Sequence, residues 1–426
     1  QCYATGGFGA MENLQDRETT VKKLRTRYDS FETQCGSWAG FKLSKYLLCL
    51  TGEAKYADWI EKLIINGIGA SIPSGGTGKT FYYSEYRTSG AHKRYNHNVA
   101  WPCCSGTRPQ AIAEYHDLIY FQDDDGIYAA QFFESAAQLT VKNTEVLVSQ
   151  LSDFPSSDTL MYEVTPLEEK HFAFSFRLPG WLAAPAEVRV NGELFEYSVH
   201  KGWAKLDRIW SPGDMVEIRL PMSMEAKYMF DDKANPWAIT LGPVVMAVRA
   251  IEDAGNPALV IDPDRVGEDF APCKHEHLTW RYARDRNITI KPFYLFREGE
   301  QYFIYLDKAA RMPFYSYKHA EYDEGWKDFG GWKTAFSEGL ACRFSYTGKG
   351  VTLHAVGYPD CGIADVLLDG KKAGELDCFH ETGGTPVSCF IEAEEGEHTL
   401  ELVCSGRKAP GSTDIFVNIA RFEIAE

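Results

Sequence analysis

The feature that most limits what this chain can fold into is a switch of hydrophobic period at Gln122-Asp123-Asp124-Asp125-Gly126. Upstream of it, apolar residues recur at helical spacing. Across 36–50, Ala39, Leu43, Tyr46, Leu47 and Leu50 share a stripe, with Lys42 and Lys45 on other faces. Gly52 stops that helix. A second stripe follows over 56–68 through Tyr56, Ile60, Leu63, Ile64 and Gly67, with Asp58, Glu61 and Lys62 outside it. After a Gly/Pro-rich loop over 71–79 and an aromatic run at 81–87, a third helix is predicted over 109–120. Thr107 would be its cap, and Pro109 would sit in its first turn. Antiparallel helices on short loops suggest the tail of an α/α toroid, although so few cannot close one.

Downstream, strand-length runs at 126–132, 139–141, 145–151, 160–164, 172–178, 186–190, 202–206 and 215–220 are separated by turn residues. Val190-Asn191-Gly192-Glu193 and Ser211-Pro212-Gly213-Asp214 are the clearest of these turns, and the pattern is that of a β-sandwich. A second β region spans 236–306. A linker rich in tyrosine and charge over 314–328 leads to a compact all-β unit with a hairpin turn at Leu368-Asp369-Gly370-Lys371. No repeat of fixed period is found. The predicted fold is multidomain α + β. Helices of a partial (α/α) barrel occupy 1–121, a β-sandwich 122–235, a second β region 236–313 and a β-sandwich module 314–426.

A length of 426 residues fits several domains at roughly 100–200 residues each, and 44% apolar content supplies their cores. A formal charge of −16 argues against nucleic acid or an anionic membrane as partner. No run approaches the ~18 apolar residues of a bilayer span. Aromatic content of 14% is high, and aromatic faces are common platforms for sugar rings. Eleven cysteines, an odd number spread along the chain, do not form a disulfide framework and lean towards a reducing, cytoplasmic setting. The sequence opens at Gln1 with neither initiator nor signal peptide, so localisation is not legible there, and oligomeric state is left open.

The chemistry concentrates at Pro102-Cys103-Cys104-Ser105-Gly106-Thr107. Adjacent cysteines rarely bridge each other but readily hold a soft metal as thiolates. The helix predicted just after them favours the thiolate form. In Phe31-Glu32-Thr33-Gln34-Cys35, Glu32 and Cys35 are three apart at a helix entry, which sets both on one face. Together the segments offer Glu32, Cys35, Cys103 and Cys104 as a Cys3Glu set suited to zinc. The plainer account makes Cys35 a buried small residue and Glu32 a helix cap. His92 and His97 flank the loop before the cysteines, within reach of sugar hydroxyls, though loop histidines more often face solvent. Tyr82, Tyr83 and Tyr86 suit a core as well as a substrate wall. Ser105-Gly106-Thr107 lacks the lysine of a phosphate loop. A papain-like dyad of Cys103 with His116 gives no role to Cys104 or Glu32.

Tyr3-Ala4-Thr5-Gly6-Gly7-Phe8-Gly9, Phe31-Glu32-Thr33-Gln34-Cys35 and Pro102-Cys103-Cys104-Ser105-Gly106-Thr107 resemble, in order and spacing, the β-L-arabinofuranosidases of glycoside hydrolase family 127. Phe176-Arg177-Leu178-Pro179-Gly180-Trp181, Val190-Asn191-Gly192, Arg208-Ile209-Trp210-Ser211-Pro212-Gly213-Asp214 and Leu220-Pro221-Met222 resemble that family's middle domain. The resemblance covers roughly 1–250. It implies an (α/α)6 barrel followed by β-sandwich domains, and a retaining hydrolase of plant-type glycans. Cys103 would be the zinc-bound nucleophile, Cys104, Cys35 and Glu32 the other ligands, and Glu12 the acid/base, with Glu18 as competitor. The charged run around Glu18 reads as a solvated face. Here two residues separate Glu32 from Cys35 where the family's best-known pattern has one. The family's barrel is also longer than the helical part here, so a polypeptide that began at Gln1 would have an incomplete, inactive pocket. The C-terminal unit resembles jelly-roll modules of the galactose-binding type through Ala364-Asp365-Val366-Leu367-Leu368-Asp369-Gly370-Lys371 and Glu395-Gly396-Glu397-His398-Thr399-Leu400. The alternative function is a non-catalytic carbohydrate-binding or scaffold protein with a structural zinc.

Overall fold

The structure, a computed structural model, describes residues 2–8, 13–26, 32–71, 83–93, 103–249, 256–259, 261–274, 276, 278–284, 288–309 and 314–425. It is mostly β-sheet with a small helical part. The helices that matter here are α1 (Arg17–Thr26), α2 (Gln34–Thr51), α3 (Lys55–Lys62) and α4 (Cys103–Tyr115). A wider turn, Leu63–Ile68, extends α3.

Gly52 ends α2 at φ +68°, its N–H donating to the Leu48 carbonyl at 2.8 Å. The chain then reverses into α3. Gly40 permits the close crossing of the two, since a Cβ there would stand 2.7 Å from Leu63 Cδ1. The face of α2 that packs is therefore one of small residues, with Ser37, Gly40 and Ser44 buried beside Phe41 and Leu48. This corrects the expected apolar stripe: Leu43, Tyr46 and Leu50 are 50%, 66% and 82% exposed among the described residues. The second stripe is buried at Ile60 and Leu63, and Glu61, expected outside it, is buried too.

The third helix begins six residues earlier than predicted, at Cys103, and ends in a short 3-10 turn at His116–Leu118. Thr107 is no cap, and Pro109 lies inside the helix. Packing against α2 outweighs the local proline signal, because Cys104, Thr107 and Ala111 are all buried.

Two sheets follow face to face. One has six strands, in the order Glu193–Leu194, Glu187–Val190, Asp214–Arg219, Thr159–Pro166, Thr144–Ser152, Ser135–Val141. The other has five, in the order Ser198–His200, Trp203–Trp210, Lys170–Arg177, Gly126–Ala129, Tyr120–Gln122. Val146, Val148, Tyr162, Val216 and Ile218 meet Ile127, Phe172, Phe174, Phe176 and Trp210 between them. The alternation along Lys170–Arg177 sends the phenylalanines inward and leaves Ser175 and Arg177 on the outer face. A nine-stranded sheet over 224–306 shares that core, and Ala91–His92 joins its edge by pairing with Gln301–Tyr302. The C-terminal residues build a seven-stranded and a three-stranded sheet around a separate core. The stretch 314–328, expected as a linker, is part of that unit: Phe314–Ser316, Glu321–Tyr322 and Lys327–Asp328 are strands, and Tyr317 and Trp326 are buried. Among the described residues, no helix is long and apolar enough to cross a membrane.

The helical part is fastened to the sheets by buried polar groups. Arg177, fully buried, donates from Nη1 to Asp58 and from Nη2 to Glu61 on α3, and from Nε to the Ala130 carbonyl at 2.8 Å. The second oxygens are also used. Gly180 N–H donates to Asp58 at 3.0 Å and Trp181 Nε1 to Glu61 at 2.7 Å. Burial pushes the Glu61 carboxyl up. Burial also works against the Arg177 cation, but the charges of Glu61 and Asp58 outweigh it and hold the guanidinium protonated. Asn66 makes a second fastening, accepting from Val245 N–H at 2.8 Å and donating to the Pro243 carbonyl at 2.9 Å. Arg177→Ala leaves two acids without a counter-charge, so we expect a loss of about 3–5 kcal/mol in urea unfolding followed by tryptophan fluorescence. Arg177→Lys should also destabilise, because an ammonium lacks the fork that serves three acceptors. An alanine variant as stable as the parent would refute the fastening.

Candidate metal centre and active site

Helices α2 and α4 lie side by side and run in the same direction. Near their N-termini, Cys35 Sγ stands 3.8 Å from Cys104 Sγ. Further along, Lys42 Nζ meets Glu114 at 3.1 Å and Lys45 Nζ meets Asp117 at 3.3 Å. Trp38 Nε1 donates to the other oxygen of Glu114 at 2.7 Å. Parallel packing brings two helix N-termini, the positive ends of their dipoles, to the same end as the two sulfurs. That end is electropositive, which lowers the cost of ionising a thiol there.

The sulfur spacing fits a shared metal. Two thiolates on one tetrahedral zinc, with bonds of ~2.3 Å, stand about 3.8 Å apart. Cys104 is 2% exposed, and Thr107, one turn along α4, brings its hydroxyl to 3.2 Å from Cys35 Sγ. The sequence points to a cap at Thr107 and gives no sign of its contact with Cys35.

Of the four predicted ligands, the structure brings Cys35 and Cys104 together. Glu32 lies in the strand Glu32–Thr33 that leads into α2 and pairs with Tyr83–Ser84, and Cys103 is the first residue of α4. The side chains of both lie outside the described residues, as do Glu12 and His97. His92 lies in the strand Ala91–His92. Glu18 is exposed on α1, as its charged surroundings suggested. Tyr86 belongs to a core, its ring edge-on to Tyr3 at 5.2 Å. Among the described residues, no group of three or more His, Cys, Asp or Glu side chains could hold a metal.

The segment before Glu12 is anchored. Gly6 turns the chain at φ +90°, Trp59 Nε1 donates to its carbonyl at 2.8 Å, and Ala4 N–H donates to the Tyr305 hydroxyl at 2.8 Å. The Thr5-Gly6-Gly7 turn is thus tied to α3 on one side and the nine-stranded sheet on the other.

Two sequence models of one family match the chain, the β-L-arabinofuranosidase GH127 catalytic domain over residues 1–117 and the GH127 middle domain over 126–222. They cover half of the chain, which belongs to glycoside hydrolase family 127. Among solved structures, a GH127 β-L-arabinofuranosidase from Geobacillus stearothermophilus T6 is similar with 21% identity and a TM-score of 0.56, over 72% of this chain and 54% of that one. A protein described as a glycoside hydrolase is similar with 18% identity and a TM-score of 0.54, over 72% of this chain and 59% of the other. At these identities the likeness is one of fold, and the chain spans little more than half of either structure. No curated protein matches the chain.

Titration of the reduced protein with Co(II) should give one equivalent of tight binding and an intense near-ultraviolet sulfur-to-metal band. Cys35→Ser and Cys104→Ser should each weaken the band and the binding by about tenfold or more. An unchanged spectrum in both variants would separate the sulfur pair from metal binding.

Proposed function

We propose that this chain is part of a retaining glycoside hydrolase of the β-L-arabinofuranosidase type, acting on plant-type glycans. The observation that carries this reading is the 3.8 Å approach of Cys35 and Cys104 at the joint N-terminal end of two helices, in a chain of this family. In the domain division we propose, 1–121 is the end of an (α/α)6-type barrel. It is followed by a sandwich over 122–235, a second β region over 236–313 and a jelly-roll-like module over 314–426. The bare apolar side of α2, with Leu43, Tyr46 and Leu50, supports the barrel reading, since further helices of such a layer would cover it.

Glu32, Cys35, Cys103 and Cys104 are the residues that would hold zinc. Bound zinc would keep Cys103 ionised at neutral pH. In the proposed mechanism the Cys103 thiolate forms a C–S bond to the anomeric carbon as the glycosidic C–O bond breaks. Glu12 donates its proton to the departing oxygen. In the second half, Glu12 takes a proton from water, which attacks the same carbon and returns the thiolate. The parallel helices contribute by favouring negative charge on sulfur in every state where Cys103 is not bonded to carbon.

A panel of nitrophenyl glycosides that includes the β-L-arabinofuranoside, assayed on the full-length protein, tests this reading. We expect release from the arabinofuranoside, its loss on chelation, and a fall of about a thousandfold or more in Cys103→Ala with folding retained. Absence of hydrolysis across the panel would leave a structural zinc site in a carbohydrate-binding scaffold.

A further inference from the structure

At the opposite end of α2 from the cysteines, the helix and the outer face of the five-stranded sheet enclose a cleft of about 600 Å³. That volume is within the range of small-molecule sites, and junctions between structural units are where such sites commonly form. Cys35 and Cys49 sit near the two ends of an 18-residue helix that is ~27 Å long, so the cleft is well removed from the sulfur pair.

The walls are held from behind. Trp203 Nε1 donates to the Gly52 carbonyl at 2.9 Å, and Lys201 Nζ donates to the Thr51 carbonyl at 2.7 Å, closing the C-terminal end of α2. Ala54 N–H donates back to the Lys201 carbonyl at 2.9 Å. Tyr128 stands edge-on to Trp203 at 5.1 Å, and its hydroxyl donates to Asp123 Oδ2 at 2.7 Å. Asp123 Oδ1 in turn accepts the N–H groups of Asp125 at 2.8 Å and Gly126 at 3.0 Å. The half-buried tyrosine ring is therefore fixed in place before any ligand arrives.

The polar lining carries both signs. Asp123 and Asp125 face the cleft together with Lys201 and Lys205, and the Gln122 amide and the ring nitrogens of His200 add further hydrogen-bonding groups. Balanced charge gives no advantage to an anion or a cation. Groups that donate beside groups that accept suit hydroxyls, which do both. A fixed aromatic ring next to such groups suits the apolar face of a sugar. We propose that this cleft binds a neutral oligosaccharide segment, as a second glycan site apart from the paired cysteines. The inference rests on the cleft and goes beyond the catalytic reading.

The test is affinity electrophoresis and calorimetry of the full chain with neutral arabinan- and xylan-derived hexasaccharides, and with polygalacturonate as a charged control. The parent should bind a neutral probe in preference to polygalacturonate. Asp125→Ala/Lys205→Ala should bind it about tenfold or more weakly with its melting temperature unchanged. Asp125→Asn/Lys205→Gln, which keeps the volumes, should show the same loss. Hydrolysis of a small nitrophenyl glycoside should be unaffected in both, whereas Cys103→Ala should retain the binding, so failure of the catalytic reading and failure of this one are distinguishable. Equal binding by parent and double variants, preference for polygalacturonate, or no binding of either neutral probe at millimolar concentration would overturn the proposal.

Discussion

The structure depends on one buried cation. Arg177 projects from the outer face of a sandwich strand and is enclosed by Asp58 and Glu61 of α3. With Gly180 and Trp181 donating to the remaining carboxylate oxygens, each acid is fully engaged. Such an arrangement contributes less net free energy than an apolar contact of the same size would, but it tolerates only one relative position of helix and sheet. That is its use here: α3 fixes α2 through the glycine crossing at Gly40, and α2 in turn sets where Cys35 meets α4.

The Phe176-Arg177-Leu178-Pro179-Gly180-Trp181 run thereby has a physical reason for its composition. Phe176 fills the sandwich core, Arg177 crosses to the helices, and Gly180 and Trp181 complete the hydrogen bonds of the acids that Arg177 neutralises. Asn66 performs a neutral version of the same task at the nine-stranded sheet, and Arg25 adds a two-pronged bond to the buried Asp307 at 2.8 and 3.2 Å. At all three places a side chain with several hydrogen-bonding atoms joins helix to sheet, because the partners there are fixed main-chain or carboxylate groups.

Much of this was legible in the sequence. Strand-length runs bounded by turn residues located the strands of the sandwich, and the Asn191-Gly192 and Asp369-Gly370 turns have the positive φ that hairpins of this kind require. The approach of Cys35 to Cys104 was legible because neighbouring thiols seldom bridge each other, which directs them to soft ligands from another segment. What failed did so for identifiable reasons. Leu43, Tyr46 and Leu50 satisfied a helical period, yet the packed face of α2 is made of small residues, which hydrophobicity does not reveal. Pro109 imitated a helix start, and only the contact between helices shows that the helix begins at Cys103. Glu61 looked solvated because its counter-charge lies 116 residues away. The 314–328 stretch passed for a linker because its strands are two or three residues long.

That separation has a consequence for synthesis. The acids of α3 leave the ribosome 119 and 116 residues before the arginine that neutralises them. Until Arg177 emerges, a collapsed helical layer would have to dehydrate two uncompensated carboxylates, and the cheaper course is to leave them in water. The Gly126–Ala129 strand waits as well, since its parallel partner is Lys170–Arg177 itself. Docking of the nascent helices and assembly of the five-stranded sheet are thus both tied to the arrival of a single strand.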